Sequence, residues 1–373
     1  MPSSTPAWPT PSTTRSSVAS GRAGSGPRGT WSVRRRAFEI AGEEAWLVGG
    51  AIRDERLGRP VVDIDVACGR PDRVARDYAR RWGGSPFPLS ERHGAWRVAL
   101  EDGRTVDFTP LRERIEDDLA TRDFTINALA EPLGGGPAVD PFEGLPDLVA
   151  GIVRAVSEGV FEDDPLRLLR AVRLEDELGF RIEPRTEGLV REHAALVASP
   201  AGERVLGELL RLSTAGFRRL AELGLLERLG GSLERVDRAD AVDEPRYRLV
   251  AFLGDAVGTL PISKELRRYA VALLRSTPPP TDDPRELHRF RRRTEPWALE
   301  ALALHGRDDL DPAVELARAR DTSEPLVRGD ELGLAPGPEI GRLLELIDEE
   351  RAAGTITTRE EALELARRHA GAR

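Results

Sequence analysis

The apolar and polar positions change period along the chain. Leu47 and Val48 form an apolar pair before Gly49-Gly50 and read as a buried strand, followed by a turn and a short helix. Asp63-Ile64-Asp65-Val66 alternates with period two, so both carboxylates fall on one face of a strand and both aliphatic side chains on the other. Val74, Ala75, Tyr78, Ala79 and Trp82 recur at three- and four-residue steps. This predicts a helix over 71–82, stopped by Gly83-Gly84. Shorter strands are expected over 85–89, 96–100 and 105–109, with a turn at 91–94 and a hairpin turn at Asp102-Gly103. Residues 37–44 read as a helix leading into the first strand. From Gly179 onward only helical periods appear, with Leu266, Tyr269, Ala270 and Leu273 on one face and Ile340, Leu343, Leu344 and Ile347 on another. Thr277-Pro278-Pro279-Pro280 breaks the series.

The stretch 47–66 carries the candidate chemistry. Paired glycines let backbone pass close to a bulky anion. Arg53 lies just beyond, within reach of a phosphate. Two carboxylates on one strand face repel unless a cation joins them, and Mg²⁺ is the hard, oxygen-seeking choice. An isolated Asp-x-Asp is usually a solvated strand end and an isolated Gly-Gly usually a turn. Their spacing here favours metal-assisted nucleotidyl transfer.

Composition narrows the classes. The chain of 373 residues has room for two or three domains. It is 32% charged and 5% aromatic, which suits a helix-rich protein. Cys68 is the single cysteine, which leaves no internal disulfide partner and no cysteine zinc cluster. Lys264 is the only lysine, so there is no P-loop lysine. The net charge of -9 argues against broad, salt-driven coating of nucleic acid but leaves room for a local arginine face. No apolar run approaches the roughly 20 residues that span a bilayer. Residues 1–36 are rich in Ser, Thr, Pro, Gly and Arg and lack an apolar core. They read as a disordered leader, with a transit peptide as the alternative, and a cytoplasmic location is expected.

Residues 47–66 resemble the signature of the class II tRNA nucleotidyltransferase and poly(A) polymerase family, which builds or repairs the 3′ CCA end of tRNA. Further segments resemble it too. Thr121-Arg122-Asp123-Phe124-Thr125-Ile126-Asn127-Ala128 is similar to the motif whose arginine and aspartate read the ribose of the incoming nucleotide. The resemblance thus implies nucleotide contacts at Arg122, Asp123 and Asn127, with Phe124 and Ile126 in the core. Thr121 departs from the first arginine of many members. Asp163-Asp164-Pro165-Leu166-Arg167, with Arg170, is similar to the segment that pairs with the Watson–Crick edge of the base. Asp163 stands where the family usually has Glu. Without the resemblance the same residues read as a capped amphipathic helix, with Asp163 or Asp164 as cap and Arg167, Arg170 and Arg173 as a solvated stripe. The family also keeps an acidic residue at Asp107, whose strand would lie beside Asp63 and Asp65. His93 reads as a surface turn residue or one in a mobile loop near substrate. Asp140 to Leu148 looks like the family's hinge.

The resemblance implies an α+β fold: a small mixed β-sheet nucleotidyltransferase head over 37–150, a helical neck with the base-recognition motif over 151–215, and an all-α body and tail over 216–373 that bind RNA. Asp63 and Asp65 would bind Mg²⁺, with Asp107 as a third catalytic carboxylate. Gly49, Gly50 and Arg53 would steady the triphosphate. CTP and ATP would be the substrates and the 3′ end of tRNA the acceptor. Arg267, Arg268 and Arg291 to Arg293 would meet tRNA phosphates or form a solvated face. A CC-adding, A-adding or poly(A)-adding member shares these motifs. An idle RNA-binding protein and an enzyme acting on another acceptor are the rivals from other classes. No His-Asp dyad is found, so an appended phosphohydrolase module is not expected.

Overall fold

The alternating segments assemble into one mixed sheet. The structure, a computed structural model, describes residues 36, 37, 39–41, 45–90, 94–321 and 324–370. The expected leader, apart from Arg36, and His93 lie outside the described residues. The chain divides into two compact units, one of residues 1–115 and 129–139 and the other of 116–128 and 140–373.

The first unit runs β1 (Trp46–Val48), α1 (Gly50–Arg56), β2 (Asp63–Cys68), α2 (Pro71–Trp82), β3 (Ser85–Ser90), β4 (Ala95–Ala99), β5 (Thr105–Pro110) and β6 (Ala130–Pro132). The sheet order is β3-β4-β5-β2-β1-β6. Only β2 and β5 pair in parallel, because α2 and the β3–β4 hairpin form the long crossover a parallel pair needs. Ile64 pairs with Val106 and Val66 with Phe108, and all four are buried. Tyr78 of α2 brings its ring 5.8 Å from that of Phe108, so α2 covers this apolar face. The opposite face is left to the polar residues of the same strands. Cys68, at the end of β2, is buried, which pushes its thiol up to about 11 and keeps it protonated.

The second unit is helical apart from one small element. Its helices are α3 (Ile115–Leu119, entered at the unit boundary), α4 (Gly144–Ala150), α5 (Val160–Asp163), α6 (Arg167–Leu178), α7 (Pro184–Glu192), α8 (Gly202–Leu209), α9 (Thr214–Glu222), α10 (Pro245–Leu253), α11 (Lys264–Leu274), α12 (Pro284–Thr294), α13 (Ala298–Leu304), α14 (Asp311–Arg320), α15 (Pro338–Ala352) and α16 (Arg359–His369). The expectation of helices only beyond Gly179 needs one correction. Strand β8 (Arg181–Ile182) pairs in parallel with β7 (Ile152–Val153). Strands of two residues have no period to read, and backbone pairing with a segment about thirty residues away creates them.

Residues 116–128, placed with the head by the sequence reading, pack in the second unit. Phe124 and Ile126 are fully buried in its core. The Thr125 amide donates to the Arg154 carbonyl at 2.9 Å, and the Val156 amide to the Asp123 carbonyl at 3.1 Å. A further apolar cluster of Val327, Leu343, Ile347, Ile356, Ala362, Leu365 and Ala366 gives the C-terminal helices their own core. No described helix is long and apolar enough to cross a membrane.

Candidate active site

In the first unit, β1 ends at a glycine turn. Gly49 has φ 78°, a conformation that costs a residue with a Cβ, and its amide donates to the Leu129 carbonyl at 3.1 Å. A Cβ on Gly50 would stand 3.3 Å from Nη2 of Arg53, so the bare backbone gives that guanidinium room. Arg53 forks onto Asp54 at 2.9 and 3.0 Å. The turn thus holds one arginine close to glycine backbone.

Pairing register places the carboxylates. Asp65 on β2 lies opposite Asp107 on β5, and Asp107 lies opposite Arg97 on β4. Residues in register share a face, so Arg97, Asp107 and Asp65 form a row across three strands. Asp63 lies two residues before Asp65 on the same face, exposed, and accepts from the Thr105 hydroxyl at 2.8 Å. Arg97 donates from Nε and Nη2 to the two oxygens of Asp107, both at 2.7 Å. The hydrogen bonds to Asp107 raise the pKa of Arg97 above its ordinary value. Partial burial opposes this, and the charges of Asp107, Asp63 and Asp65 add to it. Among the described residues, no three His, Cys, Asp or Glu side chains converge as a ready metal cage. The donor set still fits a hard divalent cation: Asp63 and Asp65 offer oxygen ligands from one strand face, at a partly exposed position.

In the second unit the residues of the 121–128 segment and the start of α6 come together. Asp123 is buried. One of its oxygens accepts from the Phe124 amide at 2.8 Å and the Asn127 side chain at 3.0 Å, and the other accepts from Arg170 at 3.0 Å. Burial alone would push its carboxyl up, but Arg170, Asn127 and the Phe124 amide outweigh burial and hold it below the ordinary value. Arg122 donates to Asp118 at 3.1 Å. Arg167 reaches the Thr121 carbonyl at 2.7 Å and the Val160 carbonyl at 3.2 Å. Asp164 accepts from the Leu166 amide at 3.2 Å, as a cap would, and from Arg204 of α8 at 2.7 and 3.3 Å. Asp163 is exposed.

The arginines of α6 are not a solvated stripe. Arg170 and Arg173 both reach Glu208 of α8, and Arg173 also reaches Glu177. Arg291 is buried and engaged by Asp321 and Glu295, which removes it from a free RNA-facing surface. Sequence reasoning did not find Arg97, Arg204 or Glu208. Arg204 and Glu208 lie in a stretch, 203–209, that resembles the family's helices but reads as packing, and the partners of the three are 10, 40 and 35 or 38 residues away.

A carboxylate-bearing strand pair beside a glycine turn defines the class as a nucleotidyltransferase head. Residues 45–154 match the family described as "Poly A polymerase head domain". Residues 179–230 match "Probable RNA and SrmB-binding site of polymerase A". A CC-adding tRNA nucleotidyltransferase of Geobacter sulfurreducens is 34% identical over 387 residues, covering 85% of this chain and 90% of that protein. The chain therefore belongs to the tRNA nucleotidyltransferase and poly(A) polymerase family. An A-adding tRNA nucleotidyltransferase of Deinococcus radiodurans is 43% identical over 193 residues, or 49% of this chain, and that match spans only 44% of the relative. The fold is similar to that of the Thermotoga maritima CCA-adding enzyme complexed with tRNA-CCA, with a TM-score of 0.69 at 23% identity, over 92% of this chain and 95% of that one.

Proposed function

We propose that this protein adds C and A residues from CTP and ATP to the 3′ end of tRNA, in the cytoplasm, without a nucleic-acid template. The observation that carries the reading is the register that sets Asp65 beside Asp107 on parallel strands, with Asp63 on the same face. Asp63 and Asp65 would hold Mg²⁺, and Asp107 is the third carboxylate of the row. Bound there, the ion supplies Lewis acidity to a reacting phosphate and to the departing pyrophosphate.

The chain's own residues do the rest. The Gly49-Gly50 turn admits the triphosphate close to backbone, and Arg53 beside it supplies positive charge. Arg122, Asp123 and Asn127 favour a ribonucleotide because a 2′-hydroxyl both donates and accepts. Asp164 and Arg167, with Asp163 and Arg170, present donors and acceptors to the base edge. A wrong base leaves such groups unpaired, and that is the basis of the choice between C and A.

A second reading has one specific support. The Geobacter sulfurreducens relative, which matches most of this chain, is named as CC-adding. An extension assay separates the two. Purified protein is given tRNA transcripts ending at the discriminator base, at C and at CC, with Mg²⁺ and CTP, ATP or both. Growth to CCA followed by a halt is the expected result. A halt after two C residues establishes the CC-adding reading, and no extension of any transcript overturns both.

A further inference from the structure

The carboxylate row of the first unit carries a cation of its own. Asp65 and Asp107 are in register on neighbouring strands, about 5 Å apart in the pairing direction. Asp63 adds a third negative charge on the same face. Like charges this close repel strongly unless neutralised. Arg97 offsets one of these three charges, because β4 places it opposite Asp107 and both Asp107 oxygens accept from its guanidinium at 2.7 Å. The Arg97 side chain is 32% exposed and that of Asp107 11%, so the pair is only partly screened by water.

We infer that Arg97 is an internal competitor for the divalent cation, occupying the carboxylate row when no nucleotide is bound. The inference rests on the reading that Asp63 and Asp65 hold that cation. Each Asp107 oxygen already gives one lone pair to Arg97, and the guanidinium charge beside it weakens what the carboxylate can offer an ion on the row. The guanidinium also repels any dication arriving alone. A nucleoside triphosphate brings negative charge that offsets Arg97. The cation therefore binds weakly to the free protein and tightly together with the triphosphate. Arg97 is a positioning residue in this scheme. It sets the order of loading and keeps the row intact between turnovers.

The test is Mn²⁺ binding, followed by electron paramagnetic resonance of the free ion, with and without CTP. It compares the full-length wild type with Arg97→Met, Arg97→Lys and Asp63→Asn. Arg97→Met removes the charge and keeps much of the stem, and without nucleotide it is expected to bind Mn²⁺ about tenfold more tightly than wild type. Arg97→Lys keeps the charge and is expected to stay within about twofold of wild type. Circular dichroism confirms that each variant is folded. Unchanged or weaker Mn²⁺ binding by Arg97→Met overturns the inference, and so does equal tightening by Arg97→Lys. If wild type binds no Mn²⁺ in an Asp63-dependent way even with CTP, the metal reading falls and takes this inference with it.

Discussion

Arg170 on α6 donates to Asp123 at 3.0 Å, tying the ribose-motif segment to a helix 47 residues further along the chain. The same guanidinium reaches Glu208 at 3.4 Å. Asp123 is buried, so loss of Arg170 leaves its charge with two neutral donors and no cation. Arg170→Met is expected to destabilise the protein by about 2 kcal/mol, below the full value for a buried pair because Arg170 is partly exposed. Urea denaturation checks this. Nucleotide incorporation should fall more steeply than stability, because Asp123, to which Asn127 is itself bonded, loses its charged anchor. A variant as active as wild type would show that this anchor is not used.

The same pair sets a pH dependence. The carboxyl of Asp123 lies below its ordinary value of 3.8 in the folded protein. Its stabilising contribution is therefore complete above that value and is lost as pH falls through the lower folded value. Below about pH 4 wild type should lose stability faster than Asp123→Asn, which has no proton to gain there. Thermal melts between pH 3 and 6 measure the difference, and parallel curves would refute it.

Asp63 differs from Asp123 in having few internal duties. Asp63 is exposed and accepts one hydrogen bond, from Thr105. Asp63→Asn is expected to change the melting temperature little, and Asp63→Asn and Asp65→Asn are each expected to lower kcat by about 10²–10³-fold. Single-turnover extension of a tRNA ending at CC checks this. Retained activity in both variants would remove the carboxylate pair from the chemistry.

The seam between α12 and α15 is built from charge. Arg285 forks onto Glu350 at 2.7 and 2.8 Å, Arg289 pairs with Glu349, and Arg292 reaches Glu345 at 3.3 Å. The hydrogen bonds from Arg285, and then from Thr355, pull the Glu350 carboxyl down to about 2 from 4.5. Its contribution is complete above the unfolded value and is lost as pH drops toward about 2. Proteolytic nicking near residues 324–338 is expected to rise in high salt at neutral pH, since partly exposed pairs are screened. Glu350→Gln should be nicked more readily than wild type in low salt. Nicking that ignores both salt and this substitution would point to apolar packing as the holding force.

Gly49 occupies φ 78° where β1 turns into α1. Gly49→Ala is expected to cost about 1–3 kcal/mol of stability, because at φ 78° and ψ -145° a Cβ crowds the backbone. The KM for CTP should rise together with this loss, because the turn is where backbone would meet the triphosphate. A change in stability with KM unmoved would leave Gly49 with a folding role only.

Local physics made much of this protein legible. Alternation with period two is a property of any strand, so Asp63 and Asp65 had to share a face and Ile64 and Val66 the other. The three- and four-residue spacing from Val74 to Trp82 marks α2, which runs from Pro71 to Trp82. The motifs at 47–66, 121–128 and 163–170 pointed to the family. What sequence reading missed depends on pairs of residues far apart along the chain. β-Pairing register decides that Arg97 faces Asp107, and no spacing rule carries register across a hairpin and a crossover. Packing of α8 beside α6 decides that Glu208 takes Arg170 and Arg173, and that Arg204 takes Asp164. Burial of Phe124 and Ile126 in the helical core packs residues 116–128 with the second compact unit, which sequence order does not reveal. Sequence by itself determined which residues carry charge and which local face they share. Tertiary structure alone decided which opposite charge each one meets, because ion pairs form between whatever side chains the burial of apolar faces brings together.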